Sequence, residues 1–245
     1  LKENLRFHKG EKENNQSFAN TIASGCDIYC NDAFGTAHRN HASMVAVPKS
    51  MEGKPKVAGL LLAKELEYLD HAISNASHPF VAVLGGVKVS DKIGAIEHLL
   101  GKVDTIIVGG AMAYTFLVAK GSEVGASLVE QDRIEDAKSM LESASKFGTT
   151  ILLPTDHVCA QTIDANAETK VYDGSIDSPW MGLDIGPETA TNFAGVLHEA
   201  KTIVWNGPMG VFELSPFRIG TEAIALAIAN ATAHGAISIV GGGDS

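Results

Sequence analysis

Apolar runs that end in glycine-rich turns recur along this chain, separated by stretches with helical spacing. Five such runs are Phe80–Lys88 (FVAVLGGVK), Thr105–Gly110 (TIIVGG), Gly182–Pro187 (GLDIGP), Thr202–Pro208 (TIVWNGP) and Ile237–Ser245 (ISIVGGGDS). Short continuous apolar runs of this kind fit strands buried on both faces, as in a parallel sheet. The intervening segments predict helices over about 91–101, 111–120, 130–147, 187–200 and 216–234. Strand, glycine turn, helix, strand is the order of an α/β fold with a parallel sheet and helices on both faces. All five turns are expected at the carboxyl ends of strands of one sheet, where such folds bind ligands.

The first part of the chain reads as a piece of a second α/β unit. Gln16–Ser24 predicts a short helix, Asp27–Cys30 a short strand, and Asn31–Arg39 the loop leaving its end. Met51–Lys56 reads as a loop. From Val57 to Asn75, Leu61, Leu62, Leu66, Leu69 and Ile73 recur at helical spacing among charged residues, which predicts an amphipathic helix. A domain boundary is expected within that helix, near residue 75. Residues 1–75 would then be part of an N-terminal domain plus a connecting helix, and 76–245 most of a C-terminal domain.

Composition narrows the chemistry. Hydrophobic residues make up 45% of the 245, enough for a sizeable core, and net charge is −10, which argues against nucleic acid as the main partner. The charge is uneven. Residues 1–57 hold 8 of the 19 Lys+Arg and 6 of the 29 Asp+Glu, a net of +2, whereas the remainder carries −12. An anionic small molecule would be drawn to the first segment. The sequence holds no apolar run of membrane-spanning length, and its first residues lack the apolar stretch of a secretory signal. A cytoplasmic protein without membrane partners is therefore expected. Cys26, Cys30 and Cys159 are odd in number and read as ordinary thiols of a reducing compartment. Asn15, Asn75 and Asn230 head glycosylation-like triplets that read as chance matches.

Two common nucleotide signatures are absent: no G-x-x-x-x-G-K-[ST] occurs, and no G-x-G-x-x-G follows the first strand. The stretch Gly85-Gly-Val-Lys-Val-Ser-Asp-Lys92 offers another route. With a helix starting near Ser90, Lys92 falls in its first turn, where a cation is locally unfavourable unless an anion joins it. Lys88 and Lys92 thus read as a polyphosphate pair, against the plainer alternative of two solvated lysines. Gly242, Gly243, Asp244 and Ser245 offer N–H groups, a hydroxyl and a carboxylate suited to phosphate and Mg²⁺. Glu213 is a candidate ribose acceptor or simply a helix-start glutamate. Arg6 and Arg39 are candidate anion ligands or surface ion-pair partners. His38 and His41 lack metal spacing.

Together these stretches resemble the phosphoglycerate kinase family: ENLRF at 3–7, DAFGTAHR at 32–39, GGVKVSDKIG at 85–94, GGAMAYTFL at 109–117, WMGLDIGP at 180–187, WNGPMGVFE at 205–213 and GGGDS at 241–245, in the family's order. The resemblance implies two Rossmann-like three-layer domains joined by a long helix, each incomplete here. It also implies reversible phosphoryl transfer between 1,3-bisphosphoglycerate and Mg-ADP in glycolysis, giving 3-phosphoglycerate and Mg-ATP, by a cytoplasmic monomer. It assigns Arg6, Arg39 and His38 to the glycerate substrate and Lys88 to the transferring phosphoryl. Lys92, Gly86, Gly109, Gly110, Gly182, Asn206, Pro208, Val211, Glu213 and Gly242–Ser245 go to the nucleotide, with Asp244 on the metal. The family pattern starts before and continues past this sequence, so a chain that truly ended at 1 and 245 is expected to lack turnover and to aggregate. The alternatives are a non-catalytic nucleotide-binding fragment or, on fold alone, a dinucleotide-dependent oxidoreductase.

Overall fold

A computed structural model describes residues 3–37 and 39–242, with the side chains of 68–74 set aside. The chain divides into two compact units, Leu1–His71 and Ala72–Ser245.

In the first unit a 3₁₀ turn, Leu5–Phe7, precedes helices α1 (Lys9–Lys12) and α2 (Gln16–Ala23). Strand β1 (Tyr29–Asn31), helix α3 (Ala46–Ser50), strand β2 (Lys56–Ala58) and helix α4 (Leu60–Ser74) follow, and α4 runs across the boundary between the units. Asn15 caps α2 by accepting from the Phe18 N–H, which satisfies one orphan donor of its first turn. The expected helix from Val57 starts later, because Lys56–Ala58 instead pairs in parallel with Tyr29–Asn31. Asp32, just past β1, then accepts from the Leu62 N–H at 3.0 Å and caps α4. The small core consists of Ala19, Ala23, Ala42, Ala46, Val47 and Met51.

The second unit holds a five-stranded parallel sheet in the order β10-β9-β3-β4-β5. Its elements begin with β3 (Phe80–Leu84), α5 (Ile93–Leu99), β4 (Thr105–Val108), α6 (Met112–Ala119), α7 (Ile134–Phe147) and β5 (Thr150–Leu152). A second sheet inserts next, from β6 (Asp156–Ala160), β7 (Lys170–Asp173) and β8 (Met181–Ile185). Then come α8 (Pro187–Glu199), β9 (Thr202–Asn206), α9 (Ile219–Ala233) and β10 (Ile237–Gly241).

Every residue of β3 is buried, the pattern of a strand covered on both faces. Because side chains alternate along a strand, Phe80, Ala82 and Leu84 enter one core with Ile96 of α5, Phe116 of α6 and Met140 of α7. Val81 and Val83 enter the other, with Phe193 and Leu197 of α8 and Ile224 and Ile228 of α9. Two helical layers on one sheet place the carboxyl ends of β3, β4, β9 and β10 along a common edge.

The expectation of five turns on one sheet needs correction. Strand β8, which carries the Gly182–Pro187 run, belongs to the second sheet, of order β7-β6-β8, where β6 pairs antiparallel with both neighbours. Asp156 at the start of β6 ties this sheet to α8. Its carboxylate accepts from Glu188 N at 3.0 Å and Thr189 N at 2.7 Å, free donors of a helix that begins with Pro187.

The two cores meet through the sheet, so their largest members should dominate stability. Phe116 is fully buried, and Phe116→Ala should lower unfolding free energy by about 3–5 kcal/mol. A urea titration checks this, as a lower midpoint with an unchanged slope.

Candidate functional site

Three of the turns at the common edge are laced together through their backbones. Gly85 N donates to Asn206 O at 3.0 Å, Gly86 N to Pro208 O at 3.0 Å, and Gly110 N to Met209 O at 2.9 Å. The approach is close enough to exclude side chains. A Cβ on Gly85 would lie 2.6 Å from Gly207 O and 2.8 Å from Met209 Cε. Gly110 has φ of 68° as well, and its Cβ would lie 2.5 Å from Gly86 O.

Beside this cluster opens a cavity of about 950 Å³, at the upper end of the size usual for small-molecule sites. Its lining includes Gly86, Lys88, Asp91 and Lys92 from the segment after β3, Asn206 and Pro208 from the end of β9 and the turn after it, and Gly182, Val211 and Glu213. Leu128, Val129, Ile163, Met181 and Phe212 add an apolar flank. Gly110 and Gly242 also reach the lining. Gly109 lies outside it and is buried, and a Cβ there would lie 3.0 Å from Met209 Cε. His38, Gly243, Asp244 and Ser245 lie outside the described residues. Arg6 and Arg39 belong to the first unit.

Helix α5 starts at Ile93 rather than near Ser90, which makes Lys92 its N-cap residue. The Lys92 ammonium donates to Asn206 Oδ1 at 2.6 Å. Burial pulls its pKa below the ordinary lysine value, with Asp91 opposing. Lys88 and Glu213 are exposed at the rim. The loop that carries Val211 and Glu213 is held by Val211 N donating to Leu183 O, by Met209 N donating to Thr221 Oγ1, and by the fully buried Met209 side chain.

In the first unit, Asn4 Oδ1 accepts from Arg6 N at 2.9 Å and shapes the exposed turn bearing Arg6. Arg39 is exposed, with its N–H on Thr36 O. The segment after it is pinned by Glu11, a buried carboxylate that accepts from Ser43 N at 2.9 Å and Ser43 Oγ at 2.5 Å. Its Oε1 lies 3.9 Å from His41 Nδ1.

Sequence reasoning missed several groups around the cavity. Asp184 is buried in the lining, and its carboxylate accepts from Gly220 N at 2.7 Å and Ile185 N at 2.9 Å. It thereby ties β8 to the first turn of α9. Burial raises its pKa to about 7, against the pull of those two N–H groups. Tyr114 also lines the cavity, with Gly182 packed on its hydroxyl. Burial keeps that phenol neutral, with its pKa well above the usual value, and its oxygen lies 3.4 Å from His157 Nδ1. Burial lowers His157 to about 4. Asp184 stands in the GLDIGP motif and Tyr114 in GGAMAYTFL, so both could have been noticed; His157 carries no local signal. Among the described residues no group of three or more His, Cys, Asp or Glu could hold a metal on its own, and no helix is long and apolar enough to cross a membrane.

The family model described as phosphoglycerate kinase matches residues 1–245. A phosphoglycerate kinase of Chloroherpeton thalassium is 54% identical over 244 residues, covering 99% of this chain and 61% of the relative. A cytosolic one of Triticum aestivum is 52% identical, covering 100% and 61%. The solved phosphoglycerate kinase of Coxiella burnetii matches with a TM-score of 0.78 and 44% identity, covering 98% of this chain and 61% of that one. The chain thus spans about three fifths of the length of the curated relatives it matches.

Asp184 and His157 give stability opposite pH dependences. Asp184, raised from 3.8 to about 7, contributes fully below pH 3.8 and loses that contribution as pH climbs through 7. His157, lowered from 6.5 to about 4, contributes fully above pH 6.5 and loses it as pH falls through 4. Asp184→Asn should therefore abolish the loss of stability on going from about pH 6 to 8. It should also steepen the loss from about pH 6.5 to 4, because His157 is then unopposed. Denaturant midpoints at about pH 5, 6.5 and 8 read both changes.

Proposed function

We propose a function from one premise: the chain belongs to the phosphoglycerate kinase family. Its second unit binds ADP or ATP, its first unit contributes to binding 3-phosphoglycerate or 1,3-bisphosphoglycerate, and together they serve reversible phosphoryl transfer in glycolysis. The domain division is placed at residues 1–75 and 76–245. The observation that carries this proposal is the pair Lys88 and Lys92, which follow the Gly85–Gly86 turn and line one cavity together with Glu213.

The chemistry asks for positioning and charge compensation more than for a reactive side chain. A terminal phosphate oxygen of ADP attacks the acyl phosphorus, the bond from phosphorus to the carboxyl oxygen breaks, and the carboxylate leaves with that electron pair. Lys88 meets the transferring phosphoryl group. Lys92 exchanges Asn206 for a nucleotide phosphate. Gly86, Gly110, Gly182, Pro208 and Val211 surround the nucleotide, with Gly109 supporting that surface from outside the lining, and Glu213 accepts from the ribose hydroxyls. Gly242, Gly243 and Ser245 take phosphate oxygens, while Arg6, Arg39 and His38 hold the glycerate substrate. N–H groups and lysines fixed beforehand stabilise developing charge without reorganising.

Mg²⁺ fits the donor set. Asp91 is an exposed carboxylate on the cavity wall and Asp244 a second carboxylate in sequence, and Mg²⁺ takes one or two carboxylates plus phosphate oxygens and water. Asp244 would hold it, and the bound ion would offset phosphate charge. The cytoplasm is the proposed location, supported by the relative named cytosolic in Triticum aestivum. A relative named chloroplastic in Volvox carteri makes cell fractionation the deciding measurement. A monomer is proposed.

Single substitutions should separate the two substrates. Lys92→Ala should weaken ADP binding about tenfold, equivalent to about 1.4 kcal/mol, with the circular dichroism spectrum retained. Arg39→Ala should raise KM for 3-phosphoglycerate about tenfold and leave the nucleotide KM within about twofold. A coupled assay of ATP formation from 1,3-bisphosphoglycerate, with calorimetry of Mg-ADP binding, measures both. Nucleotide binding without turnover in the whole protein would instead point to a non-catalytic binding module.

A further inference from the structure

The loop from Gly86 to Lys92 bears both cavity lysines, yet it lies beyond the end of β3 and Val87 is 57% exposed. Its glycine end is fixed by the backbone bonds described above, and its middle is anchored by the fully buried Val89. A third attachment comes from a different segment, 40 residues on. Glu130 Oε2 accepts from Ser90 N at 3.2 Å and Glu130 Oε1 accepts from Ser90 Oγ at 2.7 Å. Both carboxylate oxygens thus clamp one residue, with the added strength of a charged acceptor.

Glu130 is in turn fixed to the core. Its N–H donates to Thr115 Oγ1 at 3.1 Å, and Thr115 is a buried residue of α6. Residues Ala126–Val129 and Gln131, on either side of Glu130, line the cavity. Ser127 Oγ accepts from Gly182 N at 2.9 Å, so the same segment also holds β8. Desolvation pushes the Glu130 carboxyl up, but the Ser90 hydroxyl, the Ser90 and Val89 N–H groups and the Lys88 charge outweigh it and hold it below the usual value.

A negative charge near a polyphosphate site is unfavourable unless it serves a purpose. A neutral amide could accept one of the Ser90 bonds but offers neither the second oxygen nor the strength of a charged acceptor. The exposed Lys88 side chain is long and flexible, and holding it costs rotamer entropy. Holding the backbone at Ser90, two residues on, fixes the point from which the Lys88 side chain extends.

We propose that Glu130 is a positioning residue for phosphoryl transfer, clamping the loop through Ser90 and thereby placing Lys88. The proposal rests on the assignment of Lys88 to the transferring phosphoryl group. It predicts that Glu130→Gln, in the whole protein, lowers kcat about tenfold while KM for ADP stays within about twofold. Because Glu130 acts through Lys88, the double variant Glu130→Gln, Lys88→Ala should be no slower than Lys88→Ala alone. A residue that merely supported the fold would give losses that multiply. Unchanged kcat in Glu130→Gln, or multiplying losses, would overturn the proposal while leaving a slow Lys88→Ala enzyme, and hence the assignment of Lys88, intact. A Lys88→Ala enzyme with the parent's kcat would overturn that assignment and the proposal with it. Should Glu130→Gln not fold, Ser90→Ala removes the hydroxyl arm of the clamp; kcat should drop several-fold, again without further loss in the Lys88→Ala background, and parental kcat would refute the clamp.

Discussion

Backbone packed against backbone at the carboxyl ends of β3, β4 and β9 is the constraint on which the rest of the second unit depends. The turns at Gly85–Gly86 and Gly109–Gly110 donate N–H groups to the carbonyls of Asn206, Pro208 and Met209, and at Gly85, Gly110 and Gly207 the backbones approach too closely for a Cβ. The glycines are therefore there first for each other. Only once the three turns interlock does a shallow, rigid surface of peptide groups exist for a ligand to meet. Unpaired buried peptide groups cost about as much as a lost hydrogen bond, so the turns must form together.

The layers below make that interlock possible. A sheet buried on both faces holds the strand ends in fixed register, Leu84 opposite Asn206 and Val108, so the turns begin at matching heights. The second sheet contributes from the side. Strand β8 brings Gly182 and Asp184 to the cavity, and Asp184 fastens that strand to α9. Capping across elements repeats this logic: Asp156 serves α8 and Asp32 serves α4. In each case a carboxylate from one element satisfies free N–H donors of another, which fixes the angle between them.

Much of this was legible in the sequence, because local signals determined it. The helix expected over 187–200 runs from Pro187 to Glu199, and that over 216–234 from Ile219 to Ala233. Four of the five glycine turns do end strands of one sheet. The misses share a cause. Strand β2 is three residues long, too short to show a period of two. A glycine turn marks the end of a strand but not its partner, so nothing local to the GLDIGP run separates β8 from the main sheet. Likewise the helix after Lys88 starts three residues late because a turn at Ser90–Lys92 precedes it. Asp184 and Glu130 act on residues 36 and 40 positions away, and no local pattern encodes such pairings.

The hydrogen bond between Lys92 and Asn206 has a consequence for the speed of ligand capture. A lysine held by a carboxylate must give up a strong ionic partner before it can serve another anion. Held by a neutral amide, it has no opposite charge to give up, and under the role proposed for Lys92 a phosphate would replace a neutral acceptor with a charged one. The half-buried ammonium is also incompletely hydrated, so less water has to leave. The cation thus stands as a sprung catch, oriented in advance and released by the ligand's own charge.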